Sequence, residues 1–409
     1  MKTVSISTIS DLINKAINTN FKLQEKGKRP IAYNLVGEAG IGKTSVVEQL
    51  AEKRGMNFVK LNLAQLDEIG DLVGYPIKEL EVQAYRVVEE NGEKKLTQAG
   101  KAWASEAMLK NLNPKLYKPT GNSRMSYAKP AWVPEYNENG TILLLDDFTR
   151  CTPVFTQAIM ELLRDQKYVS WKLPKKTTIL LTSNPDNGNY NVASMDEAQN
   201  SRCLSYNIGF DADAWAQWAE SYGIDSRCIS FALMYGAELF NKDEQGNSIA
   251  NPRSFSMFCD AISDIKDWDD NDNLDLMSLM ATGCFNDEDG KFSSMFATFI
   301  QNKMHLLVSP KDMLNENWSI VMPKIKEQIA NNSGVAALLE RRFTNYILAW
   351  FGSEEKTPVA KVRDRILDFI HDNIFSEDMF YHMILSIKKK FPMQAGKLLY
   401  VPEIAAKIN

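Results

Sequence analysis

Residues Gly37–Ser45 read GEAGIGKTS, and the spacing G-x-x-x-x-G-K-T is that of a loop built to hold phosphate. An apolar run, Ile31–Val36, precedes the loop and VVEQLAEKRG follows it, giving the order strand, glycine-rich loop, helix. In that order Gly37, Glu38, Ala39, Gly40, Ile41, Gly42, Lys43, Thr44 and Ser45 can cradle phosphates at a helix start, mainly through backbone N–H groups. Lys43 is expected to reach the outer phosphates of ATP, and Thr44 to offer its hydroxyl to Mg2+. The competing description is a glycine-rich turn without a ligand, which the flanking elements disfavour.

Two further stretches could complete such a site. In TILLLDDFTR an apolar run, Ile142–Leu145, ends in Asp146 and Asp147. A carboxylate at the end of a buried strand is what a magnesium ion opposite Thr44 requires. Asp146 is therefore assigned to the metal, through water, and Asp147 to polarising the attacking water; an acidic turn is the plain alternative. In TILLTSNPDN, Asn184 stands at another strand tip, where its amide could orient the lytic water or sense the γ-phosphate. An Asn-Pro turn is the plain alternative there. Arg202 closes the polar segment MDEAQNSR before the last core strand and could reach the phosphates of a neighbouring subunit. Without the other elements, a surface arginine describes it equally well.

The elements that must position these groups are short aliphatic and β-branched runs: Ile31–Val36, Phe58–Leu63, Thr141–Leu145, Thr178–Thr182 and Leu204–Ile208. Helical segments separate most of them, so the fold class is α/β with a largely parallel sheet and ligands beyond the strand C-termini. A chain of 409 residues exceeds what one core of ~250–300 residues accommodates, so two or three domains are expected. The net charge of −5 gives no whole-molecule attraction for nucleic acid. Five dispersed cysteines without a CxxC pair favour a reducing compartment over a thiolate metal site. No apolar run approaches ~18 residues, so no membrane insertion and a cytoplasmic location are expected. The three histidines, His305, His371 and His382, all lie outside the nucleotide-binding half, leaving carboxylates as the candidate bases there.

Taken in order, GEAGIGKT, LLLDD, TSNP and EAQNSR resemble the AAA+ ATPases, specifically the MoxR-like branch with its CbbQ and NorQ relatives. The segments LNLAQLDEIGDLVGYP, KPAWVPEYNENGTILLLDD and CTPVFTQAIMELLRDQKYVSWKLPKKTTILLTSNP resemble that branch further, and the likeness covers about residues 15–260. The resemblance implies Lys43 and Thr44 as nucleotide ligands, Asp146 as the magnesium carboxylate, Asn184 as first sensor and Arg202 as trans-acting arginine finger. Ala212–Glu220 and Ile229–Phe240 resemble the small helical lid, and NPRSFSMFCDAI puts Arg253 at the lid's sensor arginine. The domains expected are a core over 1–210 with an insertion at about 64–140, a lid over 211–265 and a helical C-terminal domain over 266–409. The resemblance also implies a homo-hexameric ring and a protein client, with von Willebrand factor A domain proteins as the frequent partners. One departure concerns Asp147, where the family usually has Glu. Its carboxylate sits one methylene closer to the backbone, and ~1 Å at a reacting group can cost about 100-fold in rate.

The insertion reads as a hairpin around Asn91-Gly92, then a helix over Ala99–Leu112 and a Pro/Gly-containing loop. Six basic residues in 101–130 (Lys101, Lys110, Lys115, Lys118, Arg124, Lys129) against the single Glu106 give a local +5. With Trp103, Tyr117 and Tyr127 among them, they could meet nucleic acid, an acidic partner or subunit, or only solvent. A second hairpin, Lys167–Lys175, carries Tyr168 and Trp171, either exposed to grip a polypeptide or turned into the core. DWDDNDNLD fails as a calcium loop because its sixth position is Asp272 and its twelfth Ser278. Beyond it, Pro310–Ile329, Val335–Phe351 and the segment after Pro358 read as amphipathic helices. Three functions follow: a ring ATPase that remodels a protein partner, a nucleic-acid-associated motor or loader, or a nucleotide-gated ring with little turnover.

Overall fold

The computed structural model describes residues 3–90, 93–185, 195, 197–242, 247–285, 287, 289–332, 334–353 and 358–407. The chain divides into two compact units. The first comprises Met1–Val4, Thr8–Glu38 and Lys43–Ile208, and the second Ser5–Ser7, Ala39–Gly42 and Gly209–Asn409.

Nine strands are described: β1 (Val4–Ser5), β2 (Ala32–Gly37), β3 (Asn57–Asn62), β4 (Pro76–Glu90), β5 (Glu93–Ser105), β6 (Tyr117–Tyr127), β7 (Thr141–Asp146), β8 (Thr177–Ser183) and β9 (Cys203–Gly209). Six of them form one sheet in the order β1-β9-β2-β8-β7-β3. The pairings β9–β2, β2–β8, β8–β7 and β7–β3 are all parallel. Strands buried on both faces read as continuous apolar runs, which is why β7 and β8 were legible. Helix Pro153–Asp165 starts on a proline at its first turn and lays Phe155, Ile159, Leu162 and Leu163 into the core with Leu143, Leu145, Ile179 and Leu181.

The remaining three strands make a separate antiparallel sheet in the order β5-β4-β6. The expected hairpin is present and longer than its sequence suggested, running from Glu79↔Ser105 to Glu90↔Glu93; its Asn91-Gly92 tip lies outside the described residues. The helix expected over Ala99–Leu112 is not: β5 continues to Ser105 and only Glu106–Asn111 is helical. Residues 99–105 hold three alanines, which locally suit a helix, but pairing with β4 decides their conformation. The expected loop is also largely a strand, β6, whose Pro119 and left-handed Gly121 sit on the sheet edge. Trp171 is core: it is buried, and its indole N–H donates to the Val73 carbonyl at 2.9 Å. The hairpin that carries it is reduced to a single bridge, Lys167↔Lys172.

The second unit is helical. Helices Ala212–Tyr222, Ser226–Phe240 and Pro252–Ala261 are followed by nine more, including Asn271–Phe285, Gly334–Gly352, Val359–His371 and Glu377–Lys390, among the described residues. One hydrophobic core runs through it from Trp215 to Ile404, with Phe231, Phe255, Phe258, Phe292, Phe296 and Phe299 packed ring to ring. That core takes residues from both sides of position 265. Part of the acidic stretch Asp267–Asp275 enters helix Asn271–Phe285. No group of three or more His, Cys, Asp or Glu side chains placed to hold a metal occurs among the described residues. No described helix is long and apolar enough to cross a membrane.

Candidate nucleotide-binding site

The parallel register brings the C-terminal ends of β2, β7 and β8 side by side, with Tyr33 opposite Leu180 and Leu145 opposite Leu181. β2 runs into Gly37, and the helix Lys43–Lys53 begins six residues later. In the loop between them, Gly40 and Gly42 have φ of +80° and +90°, which glycine adopts without a Cβ clash. Within the second unit, Gly40 lies at the start of helix Pro252–Ala261: a Cβ added to it would fall 2.8 Å from Asn251 Oδ1 and 2.9 Å from Arg253 Cβ. Asn251 caps that helix by accepting from the Ser254 N–H, and Arg253 beside it is exposed.

Lys43 is buried and its ammonium donates to the carbonyls of Gly37 (2.7 Å) and Glu38 (2.9 Å) and, at 3.5 Å, to Asn184 Oδ1. The other side of the Asn184 amide, Nδ2, donates to Asp147 Oδ1 at 3.4 Å. Asn184 thus stands between the loop lysine and the second aspartate, oxygen toward the cation and nitrogen toward the anion. Its own N–H reaches Thr149 Oγ1 at 3.4 Å. Ser45 is exposed one position after Thr44 on the helix.

Asp146 is the best-anchored acid of the group. Its Oδ1 accepts from Thr44 Oγ1 (3.1 Å) and Thr182 Oγ1 (2.5 Å), and its Oδ2 meets Lys60 Nζ at 2.9 Å. Burial alone would raise this carboxyl's pKa, but the hydrogen bonds from Thr182 and Lys60, the lysine charge and Thr44 hold it below the usual carboxylate value. Asp147 takes the left-handed backbone conformation, φ 54° and ψ 41°, and its N–H donates to Thr182 Oγ1 at 3.1 Å. Aspartate and asparagine enter that region more readily than other side-chain-bearing residues, so a short acid suits this position locally.

The donor set fits magnesium. Thr44 and Asp146 present hard oxygens in hydrogen-bond contact, and with the threonine proton committed to the carboxylate its oxygen lone pairs are available to a cation. Arg202 lies between the short helix Glu197–Asn200 and β9, partly exposed, its N–H bonded to the Gln199 carbonyl. The structure therefore brings together Gly37, Glu38, Lys43, Thr44, Asp146, Asp147 and Asn184, sets Arg253 beside Gly40 in the second unit, and leaves Arg202 on the segment that leads into β9.

Thr182 and Lys60 were not anticipated. A threonine in a β-branched run looks like ordinary strand composition, and Lys60 alternates outward on β3. Only the strand register reveals that both reach Asp146.

Residues 33–203, from β2 to the first residue of β9, match the family of AAA domains, dynein-related subfamily, in keeping with the parallel six-stranded α/β sheet. Among solved structures, the crystal structure of a candidate ATPase from Cytophaga hutchinsonii is similar over 69% of this chain and 76% of that one, at 13% identity and a TM-score of 0.29. At that score the likeness adds nothing to the assignment.

Proposed function

We propose that this protein hydrolyses ATP to ADP and phosphate in a magnesium-dependent reaction, as a MoxR-like AAA+ ring that remodels or activates a protein partner in the cytoplasm. The observation that carries the enzymatic part is the juxtaposition of Lys43, Asn184 and Asp147 on one side and Thr44 with Asp146 on the other. The hexamer, the protein client and a von Willebrand factor A domain partner rest on the resemblance of the motifs alone.

Lys43 and the loop N–H groups would bind and orient the phosphates. Thr44 and Asp146 would hold magnesium, which supplies charge neutralisation on the phosphates when bound. Asp147 would accept a hydrogen bond from the attacking water and Asn184 would fix that water's position, so that attack is in line. Arg202 would counter developing charge in the neighbouring subunit's site, and Arg253 would do so within its own chain.

The test is phosphate release from Mg-ATP, with oligomer mass measured by light scattering with and without nucleotide. Wild-type release that Lys43→Ala abolishes, in a ring that nucleotide stabilises, is the expected result. Nucleotide binding without release would favour the second reading, a nucleotide-gated ring, for which the short reach of Asp147 is the specific motive. Asp147→Glu then decides: restored release shows that side-chain length alone withholds turnover. The nucleic-acid reading loses support, because Lys101, Arg124 and Lys129 are paired with Glu81, Glu79 and Glu135.

A further inference from the structure

We propose that Thr182 is a positioning residue of this site: its single hydroxyl sets the side chain of Asp146 and the backbone of Asp147 at once. The inference rests on the reading of Asp146 as the magnesium carboxylate and Asp147 as the group that polarises water, and it assigns what holds the two in register.

The β7–β8 ladder ends at Leu145↔Leu181. On the other side of β7 the pairing with β3 runs one residue further, to Asn62↔Asp146. Asp146 and Asp147 therefore leave the sheet with no β8 backbone partner in register. Thr182 fills that gap with a side chain in place of a carbonyl. Its Oγ1 donates to Asp146 Oδ1 at 2.5 Å and accepts from the Asp147 N–H at 3.1 Å. The hydroxyl has one proton and two lone pairs, and the proton can serve only Asp146. The N–H that binds the oxygen belongs to the residue in the left-handed conformation, so the same atom anchors the turn that aims Asp147.

Burial makes the choice of threonine informative. All seven residues of β8 are buried, and Thr182 is 1% exposed. A valine has nearly the same shape and would avoid the cost of desolvating a hydroxyl. The other hydroxyls of β8 are spent elsewhere: Thr177 donates to the Pro174 carbonyl, Thr178 accepts from Asn20 and Ser183 donates to Asn34. Thr182 alone among them faces the two acids. Thr44 shares Asp146 Oδ1 with it, so without Thr182 the carboxylate would keep only Thr44 on one oxygen and the half-exposed, flexible Lys60 on the other.

The experiment compares wild type with Thr182→Val, which keeps shape and loses the hydroxyl, and Thr182→Ser, which keeps the hydroxyl. The first readout is Mn2+ binding to the protein with ADP, followed by electron paramagnetic resonance and independent of turnover. The second is kcat against KM for ATP. For Thr182→Val, Mn2+ binding should weaken about 5- to 10-fold and kcat fall about 10- to 100-fold, with KM within about twofold. Thr182→Ser should recover both to within about threefold. If Thr182→Val does not fold, Thr182→Ala is measured in its place with the same expectation. Mn2+ affinity and kcat unchanged in the hydroxyl-free variant would overturn the inference, as would a Thr182→Ser protein as impaired as Thr182→Val. If wild type binds ADP but no Mn2+, the metal reading of Asp146 falls and the inference falls with it, an outcome distinct from Mn2+ binding that ignores position 182.

Discussion

The candidate nucleotide site and the polar cluster joining helices Ala212–Tyr222 and Gly334–Gly352 both hold an aspartate against cations, and they do so in different ways. Asp213 accepts Arg341 through Nε and Nη2 at 2.6 and 2.9 Å and Asn345 Nδ2 at 2.9 Å. The arginine also donates to the Leu233 carbonyl, and Gln217 donates to Asn345. Every donor there is a planar, pre-shaped group in a bidentate or chained arrangement, which suits a brace between helices. Asp146 is instead held by two hydroxyls and one flexible, half-exposed lysine. Of these donors Thr44 and Lys60 can turn toward a ligand without dismantling the core, while the buried Thr182 stays on the carboxylate. The contrast separates a carboxylate placed for stability from one placed for exchange of partners.

Asp146→Asn should give the largest effect and test the exchange side. Phosphate release should fall about 10²–10³-fold, the size of loss expected when the cation that would balance transition-state charge is no longer held in place. The melting temperature should stay within a few degrees, because an amide oxygen still accepts from Thr44 and Thr182 and the ion pair lost is with a half-exposed Lys60. A melting temperature that collapses with activity would make Asp146 a brace like Asp213 and erase the comparison.

The second unit also holds a buried acid that is poorly served, and it sharpens the contrast through pH. Burial pushes Glu220 up to about 7, against the opposing charge of Arg342, and its Oε1 has no hydrogen-bond partner among the described residues. Unfolded, this carboxyl ionises near 4.5, so between pH 4.5 and about 7 the folded state keeps a proton that the unfolded state has lost. Stability conferred at low pH is therefore lost as pH rises through that window, by roughly 3 kcal/mol. Denaturant titrations of wild type and Glu220→Gln across pH 4–8 should differ by that slope, wild type being the steeper. Parallel pH profiles would show that Glu220 ionises as an ordinary surface acid.

Asp213→Asn follows in size. Hydrogen bonding to Arg341 and Asn345 outweighs burial and holds the Asp213 carboxyl below the usual range. Its contribution is therefore present near neutral pH and fades as pH falls through the carboxylate range. The side chains of Asp213 and Arg341 are 41% and 34% exposed, so solvent screening limits the loss to about 1–2 kcal/mol at pH 7. Denaturant midpoints read at pH 7 and again as the pH is lowered below the usual carboxylate range, where the difference between wild type and variant should shrink, measure it. A variant as stable as wild type at pH 7 would remove the brace from the comparison.

Sequence and structure agree best where chemistry coincides with buried parallel strands. There the apolar runs mark β2, β7 and β8 to within a residue or two, and the polar residues that interrupt them, Asp146, Asp147 and Asn184, stand out against their neighbours. Thr182 stayed hidden because threonine suits a strand and its two partners lie on another one. Asp213 and Arg341 are 128 positions apart, and no local pattern links them. The insertion misled for the opposite reason. Its strands are mostly exposed, so burial does not enforce a clean alternation, and local helix propensity in residues 99–105 points away from the pairing that long-range register imposes.

That insertion carries the smallest effect and the last way to sharpen the comparison. A local excess of basic residues over 101–130 suggested a charged surface, yet β4 supplies acids to two of them: Glu79 meets Arg124 at 2.8 Å and Glu81 meets Lys101 at 3.2 Å. Thr120 and Asn122 also donate to Glu81, at 2.7 and 2.9 Å, and hold its carboxyl below the usual value. Arg124 additionally lies 4.5 Å over the Trp103 ring. These are cross-strand contacts within one sheet, which commit the cations to their own fold and draw down the field available to an external polyanion. Arg124→Gln should therefore lower stability by no more than ~1 kcal/mol and leave association with single-stranded DNA at low salt as weak as that of wild type. Wild-type binding to DNA that weakens steeply with salt and is lost in Arg124→Gln would reverse the assignment. The insertion would then have to be counted with Asp146, among charges held for exchange, and not with Asp213.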